Sequence, residues 1–160
     1  MELTNELRAV LDSIPSGLCI YQVDRGRLYP QYHNPAFYEV LGYNNTHIAQ
    51  VKEQMTFVGV HEDDRAALLE ELAGLLNGGE TLRHTCRVFH DELGEYRWIQ
   101  VEGSRRVRPD GNELLYVAYS DVTEQRRLEQ YFQNTLKNLP GGVVVVRYET
   151  DGSIIPEYIS

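Results

Sequence analysis

The chain has 160 residues, with 15 Lys and Arg against 24 Asp and Glu, for a formal charge of −9. Hydrophobic residues at 42% and charged residues at 24% fit one globular domain with something appended, while the acidic balance argues against a nucleic-acid partner, which needs a clustered basic face. Two cysteines exclude a disulfide scaffold and suit a reducing, cytoplasmic compartment; no apolar run approaches the ~20 residues of a membrane span, and no secretory signal is expected at the N-terminus.

Thr4 or Asn5 suits the cap of a helix running to about Ser13, stopped by Pro15 and Gly17. Residues 17–23 and 27–33 read as a strand pair around Asp24-Arg25-Gly26. Asn34-Pro35 opens a second helix, which Gly42 ends. Asn44-Asn45-Thr46 can cap a short helix, and Met55, Phe57 and Val58 are apolar enough to be buried. Glu62-Asp63-Asp64 places carboxylates where a helix dipole favours them, and Ala66, Leu68, Leu69, Leu72, Leu75 and Leu76 follow as a helical stripe. Three strands are expected over about 80–90, 96–108 and 113–122, with turns at Gly94 and Asp110-Gly111. Thr123 then caps a helix to about Asn138. Two runs of strands separated by helices point to the α+β class, a five-stranded antiparallel sheet with helices on one face.

The end of the chain reads like the start of a structure. Leu11, Pro15 and Gly17 are matched by Leu136, Pro140 and Gly142, each 125 residues later. After one extra residue in the turn, Gly26, Pro30 and Tyr32 are matched by Gly152, Pro156 and Tyr158 at an offset of 126. Leu3, Leu7, Val10 and Ile14 share the 4, 3, 4 spacing of Leu128, Phe132, Thr135 and Leu139, the pattern of a narrow apolar helix seam. The period is domain-sized, so the chain holds one unit and the opening of another. The expected division is an amphipathic helix over 1–14, a domain over 15–122, a linker helix over 123–139 and a truncated second repeat over 140–160.

Four segments carry a family resemblance. Asn34-Pro35-Ala36-Phe37-Tyr38-Glu39-Val40-Leu41-Gly42-Tyr43 resembles the Asn-x-Ala-Phe-x-x-x-Leu-Gly-Tyr segment of PAS domains. Val60-His61-Glu62-Asp63-Asp64-Arg65 is similar to the His-Pro-x-Asp-Arg start of their long helix, with Glu62 in place of Pro. Arg87, Gly94 and Trp98 resemble the Arg…Gly…Arg-Trp hairpin of one sensory-box subgroup, and Asp121-Val122-Thr123-Glu124 the closing Asp-Ile/Val-Thr-Glu signature. The resemblance implies a sensory or interaction module, first of a tandem pair, from a bacterial multi-domain signalling protein. Its output would be a histidine kinase or cyclic-di-GMP enzyme lying outside this chain.

An enzyme is not expected. His84, Cys86 and His90 share strand parity and, with His61, suggest a metal site, but His84 and His90 lie ~20 Å apart along a strand, too far for one ion. His90-Asp91-Glu92-Leu93 is similar to a histidine-kinase phospho-acceptor box, yet falls at a strand–turn junction where that box needs a helix. No phosphate-cradling glycine loop or nucleophile elbow is present.

The cofactor is left open. Flavin-binding light sensors of this fold carry Asn-Cys-Arg-Phe-Leu ahead of the long helix; Val51–Phe57 contains no Cys, which disfavours an adduct-forming flavin. Haem sensors carry a His about 12 residues before the Gly-Glu that follows that helix; here the position falls on Leu68, which disfavours haem, with His61 a lesser alternative. An organic ligand or none remains. By resemblance the pocket lies between the sheet and the short helices, with Tyr32, Phe37, Leu41, Met55, Phe57, Leu72, Cys86, Trp98 and Tyr119 as candidate linings and Arg87 or Gln100 to orient a polar ligand. All of these suit a plain core equally, although 11 Tyr against 4 Phe leaves hydroxyls that need partners. The resemblance also implies that Asp121 and Thr123 form the signalling junction, Thr123 capping the helix and Asp121 pairing with a nearby base or backbone donor; Arg126 or Arg127 is a candidate base, and both also suit a solvated face. Leu128, Phe132 and Leu139 would form a homodimer seam, since a three-turn helix is marginal alone. Val143–Val146 is expected to pair with a sheet edge, its own or a neighbour's.

Overall fold

A computed structural model of the chain describes residues 3–53, 57–142 and 144–159. It divides into two units, Met1–Val122 and Thr123–Ser160.

The first unit begins with α1 (Asn5–Asp12), whose cap is Thr4: its hydroxyl accepts from the Leu7 amide at 3.2 Å. The strands β1 (Gly17–Asp24) and β2 (Arg27–His33) follow. The turn between them places Arg25 and Gly26 at φ of 50° and 75°. Two consecutive left-handed residues suit the twist of a two-residue hairpin. Next come α2 (Pro35–Leu41), α3 (Asn45–Lys52) and α4 (Glu62–Leu76), then β3 (Thr81–His90), β4 (Glu95–Val107) and β5 (Glu113–Asp121). The five strands form one antiparallel sheet in the order β2-β1-β5-β4-β3, the α+β architecture expected. β5 therefore sits at its centre, paired with β1 on one side and β4 on the other.

The core lies between the sheet's inner face and the helices, around Phe37, Leu41, Val51, Leu68, Leu75, Cys86, Ile99 and Leu115. Two glycines permit the close packing. A Cβ on Gly17 would stand 2.9 Å from the Phe37 Cα, so α2 rests directly on the β1 backbone. Gly42 ends α2 at φ 62°, and a Cβ there would lie 2.2 Å from the His90 ring.

Asn34 ties these elements together. It is fully buried. Its Oδ1 accepts from the amides of Leu18 at 2.7 Å and Phe37 at 3.0 Å, joining β1 to the first turn of α2. Its Nδ2 donates towards the carbonyls of Leu11 at 3.2 Å, Ile14 at 3.3 Å and Ser16 at 2.9 Å. Those carbonyls belong to the end of α1 and to the Pro15 bend; the Leu11 carbonyl also accepts from the Ile14 amide at 3.3 Å.

The second unit holds α5 (Thr123–Lys137), β6 (Val144–Tyr148) and β7 (Ile154–Ile159). Val143–Val146 is expected to pair with a sheet edge, its own or a neighbour's; β6 pairs with β7 in a two-stranded sheet, and Val143 lies outside the described residues. The two hairpins of the chain share their register. In the first, Ile20 pairs with Tyr32 and Tyr21 with Pro30, with a bulge between. In the second, Val145 pairs with Tyr158 and Val146 with Pro156, with a bulge at the equivalent place.

Asn34→Ala removes side-chain bonds to two amides and three carbonyls, of which the Phe37 amide keeps the residue-34 carbonyl and the Leu11 carbonyl keeps the Ile14 amide. It should cost about 3 kcal/mol or more in urea denaturation. Asn34→Asp, isosteric but lacking the NH2 donors, should not rescue it.

Candidate functional site

Beneath the sheet's inner face lies a cavity of about 120 Å³. Tyr21, Cys86, Val101, Leu115 and Tyr119 contribute its sheet wall; Phe37, Leu41, Val51, Leu68 and Leu72 its helical wall; Phe57, Val58 and Val60 close one side.

Six candidates from the sequence line it: Phe37, Leu41, Phe57, Leu72, Cys86 and Tyr119. Met55 lies outside the described residues. Tyr32, Arg87, Trp98 and Gln100 do not line it, and each misplacement has a physical reason. Side chains alternate along a strand, so Tyr32 should share a face with Leu28 and Pro30, which do line the cavity. The bulge in β2 breaks that alternation. Tyr32 then pairs with Ile20, turns to the outer face, and donates to Asp12 of α1. On β3 and β4, Cys86 opposes Ile99, which fixes the inward phase. Arg87 and its opposite residue Trp98 fall out of that phase. The Arg87 guanidinium carbon sits 5.5 Å from the Trp98 ring centroid. Gln100 donates to Glu102.

Arg87 is anchored by Asp64 at the start of α4: its Nη2 and Nε reach the carboxylate at 2.7 and 2.9 Å, and its backbone amide adds a third bond at 2.7 Å. The acidic first turn of α4 thus clamps the helix to β3 as well as matching its dipole. This guanidinium holds the Asp64 carboxyl below its ordinary value.

The polar atoms of the cavity are hydroxyls and a thiol. The hydroxyls of Tyr21 and Tyr119 are 3.1 Å apart. Tyr43 donates to the Val58 carbonyl at 2.7 Å. Burial pushes all three phenols up, and the Cys86 thiol to about 11. His33 packs behind Phe37 with ring centroids 4.3 Å apart, and burial lowers it to about 4, so it is neutral at physiological pH. Tyr21 and Tyr43 were not singled out from sequence. Tyr21 alternates with Cys19 on β1, but only the register of β1 against β5 shows that this phase faces inward.

Two residues beyond Tyr119 on the same strand phase, Asp121 accepts from Arg97 Nε at 2.8 Å; Arg97 also reaches Glu95 at 2.8 Å. Arg97 of β4 is a base on Asp121 that the sequence did not point to, and it reaches Asp121 because that residue ends the central strand beside β4. Arg127 pairs with Glu124 at 2.7 Å, and Thr123 opens α5. Among the described residues no three His, Cys, Asp or Glu side chains converge as a metal site requires. No described helix is long and apolar enough to cross a membrane.

A central β1–β5 pair, short helices over one sheet face and a cavity beneath them define a PAS-type α+β module. The family described as PAS fold matches residues 30–120, more than half of the chain, and the chain belongs to that family. No curated protein sequence matches it. Among solved structures it is similar to a sensory box histidine kinase/response regulator from Burkholderia thailandensis E264, with 23% identity, 83% of this chain and 96% of that one covered, and a TM-score of 0.57. It is similar to an RNA-binding light-oxygen-voltage receptor at 18% identity, covering 82% of this chain and 36% of that one with a TM-score of 0.64. A LOV protein from Rhodobacter sphaeroides matches at 18% identity, 72% and 64% coverage and a TM-score of 0.59. At these identities the likeness concerns the fold.

Because the folded Asp64 carboxyl is more acidic than the unfolded one, its pairing stabilises fully above the ordinary carboxylate range and is lost as pH falls towards the lowered value. Asp64→Asn should therefore destabilise by about 2 kcal/mol at pH 7. Urea titrations should show that difference shrinking in acid, below about pH 4.

Proposed function

We propose that the chain is a sensory and regulatory PAS module. A small organic ligand enters the cavity lined by Phe37, Leu41, Phe57, Leu72, Cys86 and Tyr119, and the signal leaves through Asp121 and Thr123 into α5. The module catalyses nothing itself; it acts in the cytoplasm on an effector domain such as a histidine kinase or cyclic-di-GMP enzyme. The observation that carries this reading is the cavity itself: a space of about 120 Å³ in the centre of the core, with a pair of hydroxyls in its wall. Natural cores leave few voids larger than a water molecule, because an empty one costs packing energy.

The route out rests on strand alternation. Tyr119 and Asp121 share a face of β5, and Asp121 is tethered to β4 by Arg97 immediately before α5 begins. A ligand that favours one placement of Tyr119 biases the strand that feeds the helix. It does so only as far as its affinities for the two placements differ.

The shared bulge and register of the two hairpins support a tandem arrangement, with 140–160 as the opening of a second PAS repeat. Leu128, Phe132 and Leu139 on the α5 seam and its continuation are 68%, 50% and 46% exposed, which supports their use as a homodimer seam. A ligand-free dimerisation module is the competing reading, favoured by the same exposed seam.

Native mass spectrometry of protein from several expression hosts separates the two: a stoichiometric adduct supports sensing, and a bare dimer in every host contradicts it. Phe132→Asp should convert the dimer to monomer in light scattering without moving the thermal unfolding midpoint of the first unit. A variant that remains dimeric removes the seam.

A further inference from the structure

Resting on the reading that the cavity receives a ligand, we infer its class: a small, neutral molecule about one six-membered ring in size, apolar over most of its surface, with one carbonyl or hydroxyl oxygen that meets the Tyr21–Tyr119 hydroxyl pair. Size is the first argument. A cavity of about 120 Å³ is slightly smaller than the ~150 Å³ apolar cavity that accepts benzene. It has no room for fused multi-ring groups unless the core opens.

Charge is the second. No Asp, Glu, Lys, Arg or His lines the cavity. The ionisable groups that do, three phenols and a thiol, are held in their neutral forms by burial. A charged ligand would leave water without meeting a counter-charge, a cost far above that of a neutral oxygen.

Hydrogen bonding is the third and fixes where the oxygen goes. The Tyr43 proton is committed to the Val58 carbonyl. Tyr21 and Tyr119 carry two protons and use one between them. Either hydroxyl can donate within the pair, so the protons can run from Tyr119 to Tyr21, or from Tyr21 to Tyr119 and on into the cavity. An acceptor oxygen beside Tyr119 selects the second direction. The choice of direction is made on β5, two residues before Asp121.

The test uses the 160-residue chain and three ring-sized probes: phenol, toluene of the same heavy-atom count, and benzoate. Calorimetry at pH 7 should give phenol about tenfold tighter than toluene, the worth of one buried hydrogen bond. Benzoate should not bind at concentrations that saturate phenol. Tyr119→Phe should bring phenol to the level of toluene while leaving toluene unchanged, and Tyr21→Phe should weaken phenol similarly. Benzoate binding as well as phenol, or a phenol preference that survives both Phe variants, would overturn the ligand class. If all three probes fail while the native mass shows an adduct, the class is wrong and the sensing reading stands. If all three fail and the native mass is bare, both fall.

Discussion

The fold hangs on the side-chain amide of Asn34. It is fully enclosed, where an unpaired polar group is expensive, yet both its oxygen and its nitrogen are bonded. Its partners come from three places: the end of α1 and the Pro15 bend, the first residues of β1, and the opening turn of α2. Through these bonds the amide fixes where the helical layer begins relative to β1. Phe37, three residues on, is thereby seated against Gly17 on one side and the cavity on the other. Without that seat the first cavity wall would have no defined position.

The Asp64–Arg87 clamp acts the same way on the far side, holding α4 to the edge strand β3. Between these anchors the helices span the sheet without filling the space under it. The result is a space whose wall is apolar except for a few hydroxyls and one thiol. In so low a dielectric each hydroxyl counts for more than at a surface. The central position of β5 gives the cavity its reach: that strand pairs with both β1 and β4, carries Tyr119 inward, and ends at Asp121 just before α5.

Much of this architecture was legible in the sequence, because it depends on local chemistry. Asn34-Pro35 predicted a capped helix, Asp24-Arg25-Gly26 a tight hairpin, and Glu62-Asp63-Asp64 a helix start, each found in place. The family segments located the same boundaries. What the sequence withheld is the phase of strands relative to the core. Tyr32 was misplaced because a bulge in β2 turns it away from Leu28 and Pro30, and a bulge leaves no composition signal. Trp98 was placed inward, and the direction of Arg87 and Gln100 was left open, because alternation allows either face until cross-strand register chooses one. Tyr21 escaped notice for the same reason, and Arg97 because its partner Asp121 lies on a neighbouring strand 24 residues away.

Between its anchors the shell leaves a mainly apolar space able to hold a small molecule, with the Tyr21–Tyr119 pair in its wall. A crystal structure determined under xenon pressure tests it most directly, since xenon occupies apolar cavities without needing a hydrogen bond. The account predicts a single strong xenon site bounded by Phe37, Leu115 and Tyr119. A core that excludes xenon there, with those side chains in mutual contact, would contradict it.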